Sequence, residues 1–117
     1  MDEPAREATA TPAGYLVYTT TSSEEEALRI GRAVVEQHLA ACANVLPGIT
    51  SIYPWHGRIN EDSEAWLLLK TTATRLAALI ARIRELHSYE LPAINAIRID
   101  QGLPEFWDWV KGWVDPA

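Results

Sequence analysis

Residues 15–20 and 65–71 constrain this chain more than any other stretch. Both are β-branched, aromatic or aliphatic almost throughout, and both read as strands. Alternate residues of a strand face opposite sides of its sheet. The first segment therefore puts Tyr15, Val17 and Thr19 on one face and Leu16, Tyr18 and Thr20 on the other. The second puts Ala65, Leu67 and Leu69 on one face and Trp66, Leu68 and Lys70 on the other. A sheet with one wet face shows apolar and polar residues in alternation. These two strands are apolar on both sides, so both faces of their sheet need cover.

The remaining pattern shows how much cover the chain carries. Ser23 precedes Glu24, Glu25 and Glu26, and Ser23 with Glu26 fits a capping box. Leu28, Val34, Val35 and Leu39 follow at helical spacing, which predicts a helix over about 24–40. Residues 42–46 read as a strand that Pro47 and Gly48 bend or bulge, and residues 49–53 resume it. Residues 60–63 (Asn, Glu, Asp, Ser) read as a polar turn before the strand at 65–71. Thr74 is placed to cap a helix bearing Leu76, Leu79, Ile80, Ile83 and Leu86. Residues 93–99 form the fourth strand, broken by Gly102. Pro104 opens a last helix with Phe106, Trp109, Val110 and Trp113 on one side.

The order β-α-β-β-α-β-α predicts an α+β fold. Its simplest form is a ferredoxin-like (split βαβ) antiparallel sheet with helices on one face and an extra C-terminal helix. Right-handed crossovers make the first and third strands central. Two helices cover one face, and the last helix is too short to cover the other. The chain is expected to hide that face against copies of itself. Residues 1–13, rich in Ala, Thr, Pro and Glu, are expected to be a disordered tail, with residues 14–117 a single domain.

Composition narrows the chemistry. The net charge of −6 is the wrong sign for a nucleic-acid partner. Cys42 is the only cysteine, so an internal disulfide is excluded and a reducing cytoplasm is expected. No apolar run approaches the length of a membrane span. The glycine-rich and nucleophile-elbow motifs of dinucleotide, P-loop and hydrolase sites are absent. Cys42 with His87 and Asn44 is the only thiol candidate set, and no motif supports it, so no enzyme is expected.

The metal-capable residues are Cys42, His38, His56, His87, Glu61, Glu64 and Glu90. His87 and Glu90 stand three apart and His38 and Cys42 four apart, each pair across an element boundary, so neither has a strong metal spacing. Trp55 falls where a long hairpin would reach past the sheet. Lys70 is the one charge in an apolar run, and with Tyr89 and His87 on the loop before the fourth strand it outlines a cleft.

Taken together these residues resemble the CutA family of divalent-cation-tolerance proteins. The likeness rests on Cys42-Ala43-Asn44-Val45, Pro47-Gly48, Ser51-Ile52-Tyr53-Pro54-Trp55-His56-Gly57, Glu64 before Leu68-Leu69-Lys70-Thr71, His87-Ser88-Tyr89-Glu90-Leu91-Pro92, and Phe106-Trp107-Asp108-Trp109. It runs through about residues 15–114 in unbroken order. The resemblance implies a ferredoxin-like protomer in a tightly packed homotrimer, with edge strands and hairpins shared between neighbours. It implies a role in divalent metal tolerance, with Cu²⁺ the usual candidate ion, and no established reaction. It implies metal contacts at His87 and Cys42, and a cleft that draws on Trp55, Lys70 and Tyr89. One position departs from the pattern: Ala93 stands where the family commonly carries an acid, and Glu90, on the other side of Pro92, is the substitute. The trimer's likeness to nitrogen-regulatory PII proteins keeps a small-ligand sensor open, and a stable trimeric adaptor is the third reading.

Overall fold

The computed structural model describes residues 11–115, so residues 1–10 of the expected tail lie outside the described residues. The elements run β1 (Gly14–Thr21), α1 (Glu24–Glu36), β2 (Cys42–Trp55), β3 (Arg58–Thr71), α2 (Ala73–Leu86), β4 (Ile94–Ile99) and α3 (Pro104–Val114). The sheet has the order β2-β3-β1-β4, and every pair is antiparallel. The first and third strands are central, as their two-sided apolarity requires.

One face of the sheet is sealed. Val17, Thr19 and Thr21 of β1 and Ala65, Leu67, Leu69 and Thr71 of β3 are buried there. They meet Ala27, Ile30 and Val34 of α1 and Leu79 and Ile83 of α2. The opposite face carries Leu16, Tyr18, Trp66 and Leu68, and within one chain it is open: Trp66 stays 39% exposed, Leu46 53% and Ile97 48%.

Several boundaries differ from the sequence pattern, each for a physical reason. Helix α1 stops at Glu36, four residues early. The Leu39 N–H bonds back to Val34 O at 2.9 Å and the His38 N–H to Val35 O at 3.0 Å, a Schellman ending. His38 takes the left-handed position that glycine usually fills (φ 61°). It is held there because Nδ1 donates to Trp113 O at 2.8 Å and its ring stacks on Trp113 at 3.8 Å.

The polar run at 60–63 is not a turn. It lies inside β3, and the chain reverses at His56 and Gly57, both with positive φ as a tight hairpin turn demands. The expected bulge does occur, as a register shift between Leu46 and Ile49 with Gly48 at φ 75°. Thr72, not Thr74, precedes α2, and its hydroxyl makes no capping bond. On α3 the deepest burial falls on Val110 and Val114, while Trp109 is 56% exposed. Trp107 lies flat enough over Gly14 and Gly102 that a Cβ at either position would come within 2.3 Å of the indole.

The hairpin is long. Strand β1 pairs with β3 only from Ala65 to Thr71, so residues 58–64 pair with β2 alone. At a strand rise of 3.4 Å this two-stranded ribbon projects about 20 Å past the sheet. Ile52 (67% exposed) and Ile59 (74%) stand on it without cover.

Leu67 is fully buried at the centre of the sealed face. Leu67→Ala is expected to cost about 2–5 kcal/mol through lost burial and an unfilled cavity. Chemical denaturation checks this, and a change within error of zero would contradict the core described here.

Candidate functional site

Two groups of polar side chains stand near the two ends of the sheet, and between them Asn95 Nδ2 donates to the Tyr18 hydroxyl at 3.2 Å. At one end β1 finishes, the loop from α2 to β4 passes, and the ribbon begins. His87 lies there, buried, as the residue that ends α2. Its Nε2 is 2.8 Å from Thr20 O, and its Nδ1 is 3.1 Å from the Tyr89 N–H. A carbonyl only accepts and a backbone N–H only donates, so Nε2 carries the proton and Nδ1 the lone pair. Both ring nitrogens are thereby committed within the chain.

Tyr89 is tilted against His87 at 4.9 Å, and its hydroxyl donates to Glu64 of β3. Burial, and then the Glu64 carboxylate, push the phenol above its ordinary value. Two positions toward the ribbon tip, Asp62 accepts the hydroxyl of Tyr53, and that bond raises the Tyr53 phenol as well.

Behind His87 stands Glu26, 6% exposed. Its Oε1 accepts from the Ser22 N–H at 3.0 Å and the Ser22 hydroxyl at 2.8 Å, and its Oε2 from the Ser88 N–H at 2.8 Å. His87 Nδ1 is 3.6 Å from the same oxygen. Burial pushes the Glu26 carboxyl up, but the donors from Ser88 and Ser22 outweigh it and hold the group at about 2.

The other end of the open face holds Lys70, Cys42 and Asn44. Cys42 and Lys70 are partners across β2 and β3. Lys70 Nζ donates to Asn44 Oδ1 at 2.8 Å and stands 3.8 Å from Cys42 Sγ, while the thiol reaches Asn44 Oδ1 at 3.6 Å.

The expected residues are therefore only partly brought together. His87 joins Tyr89, and Lys70 joins Cys42. The two pairs are separated along β1, where Lys70 faces Leu16 and Trp66 faces Thr20, four residues or about 13 Å apart. Trp55 sits at the ribbon tip, edge-on to His56 at 4.9 Å and about 20 Å from the Glu64 level. Glu90 is exposed on its loop. Among the described residues no group of three His, Cys, Asp or Glu stands close enough to hold a metal ion. The proposed donor set His87, Cys42 and Glu90 is thus not assembled within one chain, and neither is the thiol set of Cys42 with His87. A cleft of about 610 Å³ lies elsewhere, between Thr72, Asp100, Trp107 and Lys111, and holds none of the expected residues.

The sequence points to other roles for two residues: Glu26 fits a capping box, and Glu64 is one metal-capable acid within the family likeness. Only the fold puts them 62 and 25 residues from their partners on the His87–Tyr89 loop. Among the described residues no helix is long and apolar enough to cross a membrane.

Comparison with known proteins gives one family. A model of the CutA1 divalent ion tolerance protein matches residues 15–112. The divalent-cation tolerance protein CutA of Thermus thermophilus is 46% identical over 96 residues, which span 82% of this chain and 93% of that one. The crystal structure of CutA from Xylella fastidiosa superposes with a TM-score of 0.86 at 39% identity, covering 88% of this chain and 99% of that one. The structure described as a PII-like protein CutA from Nostoc sp. PCC 7120, in apo form, gives 0.81 at 36% identity, covering 88% and 99%.

Glu26 sets a pH dependence whose sign is fixed. Its folded value of about 2 lies below the ordinary 4.5, so its stabilisation is full above about pH 4.5 and fades as pH falls toward 2. Wild type is expected to exceed Glu26→Gln in stability at neutral pH, with the gap closing across that window. Denaturant midpoints measured from pH 7 down to pH 2 check it, and a gap that stays constant would contradict the assignment.

Proposed function

The chain belongs to the CutA1 family of divalent ion tolerance proteins, and from that premise we propose that it serves divalent-cation tolerance as a homotrimer of ferredoxin-like protomers, without catalysis. The observation that carries the reading is the open apolar face with its projecting ribbon. A solvent-exposed patch of this composition marks an interface, and a lone two-stranded ribbon is marginal in water. Packing copies together covers both and places the polar ends of each sheet at subunit boundaries.

Those boundaries are where cations act in this reading, Cu²⁺ being the first to try. Soft thiolate and imidazole donors suit copper and zinc. One protomer does not gather His87, Cys42 and Glu90, so a site using them draws on two copies, with Trp55, Lys70 and Tyr89 lining the shared cleft. The single cysteine suits a reducing compartment, and the cytoplasm is the location we propose. A second reading, a sensor of small ligands at the same clefts, is favoured by the likeness to the Nostoc protein described as PII-like.

Two measurements test this. Sedimentation equilibrium is expected to give three times the 13.0 kDa chain mass at micromolar concentration, and Trp66→Asp is expected to lower it. A wild-type monomer would sink the trimer. Calorimetry with Cu²⁺ is expected to show binding that His87→Ala weakens by at least about tenfold. Superimposable curves would remove His87 from the site.

A further inference from the structure

The structure assigns Glu26 a role beyond capping α1: it is a positioning residue that holds the His87–Tyr89 loop, and through it Tyr89 against Glu64. This inference rests on the reading of that region as a ligand cleft.

A capping-box glutamate turns its carboxylate back to the cap residue's own N–H. Glu26 completes half of that box, its N–H donating to Ser23 Oγ at 3.1 Å. Its carboxylate leaves the box. One oxygen is taken by the Ser22 N–H and hydroxyl, and the other crosses to the Ser88 N–H. An isolated buried carboxylate is costly, and one with three donors is not. Ser88 supplies the close donor on the second oxygen, so the carboxylate loses part of its compensation when Ser88 moves.

The loop is fixed at two successive amides. The Ser88 N–H is held by Glu26 and the Tyr89 N–H by His87 Nδ1. His87 is in turn anchored on Thr20 O at the end of β1. The segment between α2 and β4 thus takes its position from α1 and β1, which are distant in sequence. Its product is the Tyr89 hydroxyl on Glu64. A ligand that engages Tyr89 or Glu64 meets a geometry set by an acid it never touches.

Amide hydrogen exchange on the full-length chain, read by NMR, tests this. In E26Q the side-chain amide can accept on one side only, so its NH₂ faces a donor on the other. Ser88 and Tyr89 are expected to exchange at least about tenfold faster there than the loss of global stability alone accounts for, that loss being read from Leu67 and Leu69 of the central strand. Ser22→Ala leaves the bond to Ser88 intact and is expected to preserve the loop. A second variant, Ser88→Pro, removes the N–H that donates to Glu26 together with the serine hydroxyl. His87 (φ −76°, ψ 142°) already has the extended backbone that a following proline requires. Tyr89 is expected to lose protection there as well. Unchanged exchange at Tyr89 in both variants overturns the inference. Equal loss at Leu67 and Leu69 also overturns it, because Glu26 would then support the whole fold and not the loop. Failure of Cu²⁺ to bind the wild type would refute the functional reading and leave these rates as they are, so the two failures are distinguishable.

Discussion

The structure depends on the two-sided burial demand of β1 and β3. Val17, Leu67 and Leu69 on one side are fully buried by α1 and α2. The helices are thereby spent on one face, and α3 packs at the end of the sheet around Ala41. Leu16, Tyr18, Leu68 and Trp66 on the other side have no helix left to meet. The ribbon sharpens the same demand, because its strands pair with each other and with nothing else. Open face and ribbon call for the same cover, and neither is satisfied within a protomer.

Polar groups are distributed accordingly. The middle of the open face is mostly apolar, with Tyr18 and Trp66 rings 6.0 Å apart and the Asn95 amide on the Tyr18 hydroxyl. Its ends carry the polar groups: Lys70 with Asn44 and Cys42 at one, and Tyr89 with Glu64 at the other. An apolar centre with polar margins is how protein interfaces are built. Margins of one copy become crevices once another copy is laid against the centre. This layout ties the candidate site to assembly without any residue having to serve both purposes.

Much of this was legible in local pattern. The strands at 15–20 and 65–71, their central position, the bulge at Gly48 and the proline start of α3 all follow from residue type and spacing over a few positions. The misread boundaries are places where a distant contact decided the outcome. Leu39 continued the helical spacing, yet α1 stops because Trp113 receives His38 from 75 residues away. The polar run at 60–63 has turn composition, but the ribbon exposes so much surface that its strands carry polar residues freely, and the reversal is made by the two backbone conformations at His56 and Gly57. The candidate site was legible as residues and not as an arrangement. Chemistry and family likeness point to His87, Tyr89, Lys70 and Cys42, which the fold joins only as two separate pairs. Glu26 and Glu64 were not assigned their roles, since hydrogen bonds spanning 62 and 25 residues leave no local trace.

The commitments of His87 bear on what kind of cation site the proposal allows. A cation taking Nδ1 must release the Tyr89 N–H, and one taking Nε2 must release Thr20 O and, because the proton then moves to Nδ1, the Tyr89 N–H as well. A released group is then left in a partly buried setting, at a cost of up to about 1–3 kcal/mol if nothing replaces the bond. At about 1.4 kcal/mol per tenfold, that lowers affinity by roughly one to two orders of magnitude relative to a free imidazole. Binding at His87 would therefore be coupled to movement of Tyr89, and so to release of Glu64. A site with that coupling suits a protein that responds to rising cation levels better than one that sequesters the ion, because occupancy at low concentration is suppressed by the bonds already made.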